Sequence, residues 1–384
     1  MRKILLLGAS GSIGSQSLDI IEAAPERFSL TAFSVGYRVE KIPEILQKHI
    51  NVSHICVRKE EDKERLEKEY PSIFWHCGDE GLKELCLFAD YDMAVNALVG
   101  FSGLVPSLTV LNEDKILALA NKESLVVGGE LVNRILASGK GKLYPIDSEH
   151  VALAKMLDRV KREDVDRMII TASGGSFRNK SREELSSVTP EMALNHPTWQ
   201  MGAKITIDSA TMMNKGFEVI EAMYLYRWPL EKIDIILHDE STVHSMLLMK
   251  DGSYVADISK PDMHGPILYA MYEKQVDYKV YTAKRIEDFG PFHFHRFKEE
   301  RYPAVGLAMQ AIKTGGTAPA VLNAANEEAI HLFLDGKIPF LSIEPFVASA
   351  LRHVSVQKNP SLRDILAADS YARLFIQRKA EGGI

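Results

Sequence analysis

The chain has 384 residues, 46% hydrophobic and 26% charged, a balance suited to two or three globular domains, each able to bury its own core. A net charge of −6 disfavours wholesale nucleic-acid binding, so an anionic substrate must meet locally placed cations. The first apolar run ends after four residues at Gly8 and no later run approaches the roughly 18 residues of a span, so a soluble, cytoplasmic protein with no membrane partner is expected. Cys56, Cys77 and Cys86 are odd in number, without ligand spacing, and fit buried thiols in a reducing compartment.

Up to about residue 146, short apolar runs alternate with helical patterns. Strands are expected at "KILLL", "LTAFSV", "HICV", "DMAVNAL", "KILALA" and "KLYPI". Their alternation predicts an α/β domain over residues 1–148, with a Rossmann-like, doubly wound parallel sheet. Between the first strand and helix lies "GASGSIG", where Gly8, Gly11 and Gly14 permit a tight turn and let a pyrophosphate approach the helix N-terminus. The spacing is G-x-x-G-x-x-G rather than G-x-G-x-x-G, but strand before and helix after favour a dinucleotide over a structural glycine turn. The second strand runs into "SVGYRVEK", with Gly36, Tyr37 and Arg38 and no acid before Glu40. An NAD site usually offers a carboxylate there, whereas Arg38 can pair with a 2'-phosphate, so NADP is favoured over a solvated arginine. "LALANKES" places Asn121, Lys122 and Glu123 at the carboxyl edge of the sheet, where ligands bind.

Next is "PIDSEH". On an extended segment Asp147 and Glu149 leave the same face and repel unless a cation sits between them; the alternative is a helix N-cap at Ser148. A central α+β domain is expected over 149–272, with a helix at "HVALAKMLDRV", strands near "RMIITA", "KITI" and "KIDIIL", and a hairpin turning at Asp251-Gly252. "IITASGGSF" ends in Ser173-Gly174-Gly175, a shape suited to phosphate. "NHPTWQMG", His196 to Gly202, reads as a mobile cover or a docked surface loop. In "DSATMMNKGFE" a helix starting near Ser209 puts Asn214, Lys215 and Glu218 on one face and Ser209 and Thr211 near its positive end. Gly216 costs that helix about 1 kcal/mol against Ala, which suits close approach of a ligand; the plainer alternative is a solvated Lys–Glu pair. Residues 273–300 look like a linker, in which His293 and His295 have ligand spacing without a supporting context, and 301–384 fit a small helical bundle.

Taken together, "GASGSIG", "ANKES", "PIDSEH", "NHPTWQMG" and "IDSATMMNKGFE", in that order, with "GGTAPAVLNAANE" near the C-terminus, resemble the 1-deoxy-D-xylulose 5-phosphate reductoisomerase family over nearly the whole chain. The resemblance implies an NADPH- and divalent-metal-dependent enzyme (Mg²⁺ or Mn²⁺, with Co²⁺ a further candidate) of the non-mevalonate isoprenoid pathway, usually a homodimer. It implies 1-deoxy-D-xylulose 5-phosphate as substrate and 2-C-methyl-D-erythritol 4-phosphate as product. By matching motif, it implies Asp147, Glu149 and Glu218 as metal ligands, and Ser173, Ser209, Asn214 and Lys215 as holders of the substrate phosphate. Lys122, Ser148 and Glu149 would meet the sugar, and His196, Trp199 and Met201 would lie on a flap; Lys122 and His196 join the three acids as catalytic residues. NADPH contacts are expected from Gly8, Ser10, Gly11, Ser12, Ile13, Gly36, Tyr37, Arg38, Asn121, Glu123 and Gly202. The implied chemistry is Lewis-acid stabilisation of charge while the skeleton rearranges to an aldehyde, followed by hydride transfer. Three departures stand out: "HDES" at 238–241 for the usual His-Pro-Gln-Ser, His264 where Arg is common, and Tyr37-Arg38 for commoner Lys/Ser-Asn pairs. A metal-independent NADP dehydrogenase would need no acid cluster, and a nucleotide sensor would bind NADPH without oxidising it.

Overall fold

The run "RKILLL" forms β1 (Arg2–Leu7), the middle strand of a seven-stranded sheet in a computed structural model that describes residues 1–195, 201–275 and 284–383. The other strands are β2 (Phe28–Ser34), β3 (His54–Val57), β4 (Phe74–Cys77), β5 (Met93–Asn96), β6 (Ile116–Leu119) and β7 (Lys142–Pro145). All pair in parallel, in the order β4-β3-β2-β1-β5-β6-β7, so the order reverses beside β1. Ile4, Leu5, Leu6 and Leu7 are all fully buried, as a strand covered by helices on both faces requires. The helices that follow these strands are α1 (Ser12–Ala23), α2 (Ile42–Lys48), α3 (Glu60–Glu69), α4 (Gly78–Phe88), α5 (Leu104–Asn112) and α6 (Glu123–Ala137). The six expected strands form; β4 is an addition, an edge strand whose "FWHC" leaves Phe74 exposed and so lacks the buried apolar run of its neighbours.

The chain folds into two compact units, Met1–Ser124, Glu130–Asp147 and Asp262–Val280 in one, Leu125–Gly129, Ser148–Pro261 and Tyr281–Ile384 in the other. Besides Leu125–Gly129 of α6, the second unit contains α7 (Ser148–Leu157), β8 (Val165–Ala172), α8 (Pro190–Ala193), α9 (Ala203–Thr211) and α10 (Met213–Tyr226). There follow β9 (Ile233–His238), β10 (Val243–Met249) and β11 (Tyr254–Ile258), the last two turning at Gly252 with φ 86°. "KITI", expected as a strand, lies instead in α9. Its β-branched residues suggest a strand, but Thr206, Ile207, Ala210 and Thr211 bury one helical face, and that packing overrides local propensity.

The chain then forms α11 (His264–Met271), which belongs to the first unit rather than to the central domain expected to run to residue 272. Ile267, Leu268, Ala270 and Met271 complete a core with Leu18, Ile20 and Ile21 of α1 and Phe28 of β2. Arg2 Nη1 donates to Met271 O at 3.0 Å, and its other terminal nitrogen pairs with Glu273.

The expected linker contains a strand, β12 (Phe294–Arg296), which pairs antiparallel with β9 and closes one edge of a five-stranded sheet ordered β11-β10-β8-β9-β12. His293 Nδ1 lies 2.5 Å from Glu240 Oε1, while the His293 backbone N–H donates to Oε2 at 3.1 Å. The hydrogen bond to Glu240, and then its charge, raise the His293 pKa. Burial opposes ionisation of Glu240, but the hydrogen bonds from His293 outweigh it and hold the carboxyl below its ordinary range. The histidine's contribution is present below its ordinary value of 6.5 and lost as pH rises through the raised one. The glutamate's is present above its ordinary 4.5 and lost as pH falls through the lowered one, so the clasp stabilises most between those values. Glu240→Gln should therefore lower the melting temperature more at about pH 5.5 than at about pH 8.5; equal losses at both would mean that the clasp does not titrate.

Four helices, α12 (Pro303–Thr314), α13 (Ala318–Leu334), α14 (Ile343–His353) and α15 (Leu362–Ala380), form the C-terminal bundle, within the second unit. Gly216 serves this packing and not a ligand: a Cβ there would meet the Ala308 Cβ of α12 at 2.6 Å. Among the described residues, no helix is long and apolar enough to cross a membrane.

Candidate active site

Where β1 ends, Gly8 takes φ 86°, and a Cβ would lie 2.7 Å from Ala97 O; one on Gly14 would lie 2.2 Å from Gly8 O. Only glycine permits this turn, which brings the chain onto α1 with Gly11 as N-cap, no side-chain cap and no acid in the first turn. The helix therefore presents its positive end beside Ser10, Ser12 and Ile13 without a competing anion, a fit for a pyrophosphate. Ser34, where an NAD-type acid is usual, is turned inward and accepts the Gly8 N–H at 2.9 Å. Gly36, Tyr37 and Arg38 are exposed on the following loop, and Arg38 has no ion-pair partner among the described residues. Asn121 is committed to its neighbours, donating to Leu98 O, Gly100 O and Glu123 Oε2 and accepting from Ser124. Asn121 and Glu123 thus brace the loop after β5.

Asp147 follows Ile146 just past the end of β7 and is bonded to Ser148, the first residue of α7, so the covalent chain itself sets it beside Glu149. Glu149 is in the first helical turn, not on an extended segment, and Ser148 is the first residue of that helix rather than its cap, its Oγ donating to Glu149 Oε2. The carboxylates nevertheless converge: Asp147, Glu149 and Glu218 each offer an oxygen, all within 4.8 Å of one another. At an effective dielectric near 20, charges so spaced repel by roughly 3 kcal/mol per pair. Two lysines offset this. Lys122 Nζ donates to Asp147 at 2.5 Å, and Lys215 Nζ to Glu149 at 2.8 Å and to Glu218. Burial opposes the Lys215 charge, but the two glutamates outweigh it and its pKa is raised. An all-oxygen set of this kind suits a hard divalent cation rather than zinc. A second group shares Asp147 with His150 and Glu221, buried partners whose Nε2 and Oε2 are 2.9 Å apart. Neither was singled out from the sequence, although Glu221 lies one helical turn beyond Glu218 and His150 directly follows Glu149.

Ser173 follows β8 in a loop where Gly174 and Gly175 both have positive φ, and Ser173 Oγ accepts the Gly175 N–H at 3.2 Å. Gly175 lies so close to Ser209 that a Cβ would meet its carbonyl oxygen at 2.3 Å, which sets the loop that carries Ser173 against the last turn of α9. Ser209 is not at a helix start, however, but in the last turn of α9. Met212, at φ 66°, breaks the helix, and the N-terminus belongs to α10, with Asn214 and Lys215 in its first turn and no acid there. Asn214 Nδ2 donates to Glu218 Oε1 at 2.5 Å. Asp208 is held by Lys204 at 2.9 Å and by Asn326 of α13 at 2.7 Å, so the bundle steadies the helix carrying Ser209. Met201 is half-buried and Gly202 is the exposed N-cap of α9. His196 and Trp199 lie outside the described residues.

Family models described as 1-deoxy-D-xylulose 5-phosphate reductoisomerase and its C-terminal domain match residues 4–129 and 143–226, and a third, a DXP reductoisomerase C-terminal domain, matches 258–375. The reductoisomerase of Listeria innocua is 44% identical over 379 residues, covering 98% of this chain and 99% of that one. The chain belongs to the 1-deoxy-D-xylulose 5-phosphate reductoisomerase family. Among solved structures of reductoisomerases, that of Zymomonas mobilis in complex with NADPH superposes with a TM-score of 0.89 at 38% identity, covering 99% of both chains. One in complex with NADPH, fosmidomycin and magnesium gives 0.93 at 32%, covering 99% of this chain and 98% of that one.

Departures from the family pattern have structural places here. Asp239 and Glu240 pair with His295 and His293 and so fasten β12. His264 begins α11 with its Nδ1 2.8 Å from Asp262 Oδ1 and its Nε2 3.7 Å from Asp19 of α1. Tyr37 is 69% exposed, its ring open beside the expected cofactor loop.

Proposed function

We propose that this reductoisomerase converts 1-deoxy-D-xylulose 5-phosphate to 2-C-methyl-D-erythritol 4-phosphate, with NADPH and one divalent cation, in the non-mevalonate isoprenoid pathway. The observation that carries the reading is the convergence of Asp147, Glu149 and Glu218 beside Lys215 and Asn214. When bound, the cation (Mg²⁺ or Mn²⁺) supplies Lewis acidity toward the substrate ketone and a neighbouring hydroxyl, and NADPH supplies the hydride. The three acids hold the charge that the site needs. Lys215 Nζ, shared between Glu149 and Glu218 in the structure, is freed for the substrate phosphate once those carboxylates have another cation. Ser173, Ser209 and Asn214 complete that phosphate site, with the dipole of α10 behind it. Lys122 and Ser148 orient the sugar. Gly8, Ser10, Gly11, Ser12 and Ile13 receive the pyrophosphate, with Gly36, Tyr37 and Arg38 at the adenosine end.

NADPH oxidation with 1-deoxy-D-xylulose 5-phosphate, followed with and without Mg²⁺, tests the activity: turnover that survives EDTA would refute the metal assignment. For the cofactor, a hydrogen bond to a charged group is worth roughly 1.5–3 kcal/mol, or about 10- to 150-fold in affinity. Arg38→Ala should weaken NADPH by a factor in that range and barely change NADH, measured by fluorescence titration. Equal losses would make Arg38 structural. A homodimer is supported by β11, which among the described residues pairs only with β10 and exposes Tyr254 and Ile258 at the sheet edge; sedimentation velocity would report it. Three unbridged cysteines, with the Cys86 thiol pushed by burial up to about 12, fit the reducing cytoplasm.

A further inference from the structure

Beyond the loop that carries Arg38, the neighbouring strand β3 runs out into Arg58 and Lys59, both exposed. Lys59 Nζ lies 5.7 Å from the centroid of the Tyr37 ring, inside cation–π range, and has no carboxylate partner among the described residues. Arg58, by contrast, is tied to Asp79 in the first turn of α4. That bond is the main cause of a raised Arg58 pKa. An exposed aromatic ring thus sits beside two cations, Arg38 and Lys59, that no described acid engages, at the carboxyl edge of a parallel sheet, where nucleotides bind.

We propose that Lys59 holds the 2'-phosphate of NADPH together with Arg38, while the exposed Tyr37 ring stacks on the adenine. This rests on the NADPH reading above. The division of labour follows from chemistry. Lys59 is a point charge on a flexible stem and makes no ion pair among the described residues, whereas Arg58 is already engaged by Asp79. A flat ring accepts a base through its π-face, without hydrogen-bond readout. Discrimination between NADPH and NADH then comes from the ends of two adjacent strands, β2 and β3, and not from the β2 loop alone.

Adenosine 2',5'-bisphosphate and adenosine 5'-monophosphate, which differ only in the 2'-phosphate, separate the parts when titrated calorimetrically against the full-length protein. The wild type should prefer the bisphosphate by 10-fold or more; Lys59→Gln should shrink that preference on the order of 10-fold, and Lys59→Arg should largely keep it. Arg58→Gln, which removes a neighbouring cation already held by Asp79, should leave the ratio alone. A wild type without any preference would bring down the NADP reading and this proposal with it. A wild-type preference that survives Lys59→Gln, with an unchanged melting temperature, would overturn this proposal and leave the NADP reading standing. A ratio that falls equally in Lys59→Gln and Lys59→Arg would overturn the charge argument.

Discussion

Glu218→Gln should lower kcat/KM by on the order of 10³-fold or more while leaving NADPH affinity within about 2-fold of wild type. The size follows from the role: Lewis-acid stabilisation of developing charge contributes several kcal/mol, and about 1.4 kcal/mol is tenfold in rate. The substitution keeps shape and removes one charge from a cluster whose three oxygens lie within 4.8 Å, so the fold should not suffer. Glu218 is 1% exposed, and its neighbours retain partners: Lys215 still meets Glu149, and Asn214 can bond to the new amide. Activity should therefore collapse at an almost unchanged melting temperature, and excess Mn²⁺ should recover part of it if the defect is metal affinity. Full activity in the variant, measured after EDTA treatment and Mg²⁺ readdition, would remove Glu218 from the metal site.

Gly175→Ala should cost both stability and substrate affinity. At φ +73° an alanine is strained by about 1–2 kcal/mol. Its Cβ would also lie 2.3 Å from Ser209 O, 2.8 Å from Ser209 C and 2.9 Å from Ala210 Cα, all backbone atoms that cannot swing aside. Overpacking adds about 1–3 kcal/mol. Together these predict a fall in melting temperature of roughly 5–15 °C, with KM for the phosphorylated substrate rising as Ser173 and Ser209 are forced apart. Gly306→Ala is the control. That glycine lies exposed in α12 with nothing near its missing Cβ, so the change should stabilise slightly. A Gly175→Ala protein that melts like wild type would show that the loop does not abut α9.

Much of this site was legible in the sequence because its groups come in short segments whose internal spacing already implies a shared face. Asn214, Lys215 and Glu218 are of this kind, as is the glycine turn between β1 and α1. What could not be read were features decided by distant packing. The left-handed residue that splits "DSATMMNKGFE" into two helices is Met212, whose side chain is buried in a small core with Tyr302 and Val305. Nothing local marks a methionine for that conformation, so the sequence alone places Ser209 at the wrong helix end. Gly216 misled in a related way. Its want of a side chain answers Ala308, 92 residues further on, and not a ligand. The edge strand β12 carries few apolar residues and is defined by its pairing with β9 and by two His–acid contacts, signals that periodicity does not contain.

The return of α11 to the first unit gives the chain a nested order with consequences for its biosynthesis. The apolar interior built around β1 is finished only by Ile267, Leu268, Ala270 and Met271, more than a hundred residues after β7 has been made. A ribosome that has released only residues 1–148 has delivered every strand of that sheet but not its last covering helix, leaving an apolar face on α1 and β2 exposed to solvent. The nascent half-domain therefore keeps uncovered apolar surface, of the kind that promotes aggregation, until α11 emerges, and the intervening segment 148–261 is synthesised before that surface is covered. A fragment cut at residue 148 inherits the same defect for good; restoring solubility would take the α11 peptide supplied in trans, or its sequence grafted back onto the shortened chain.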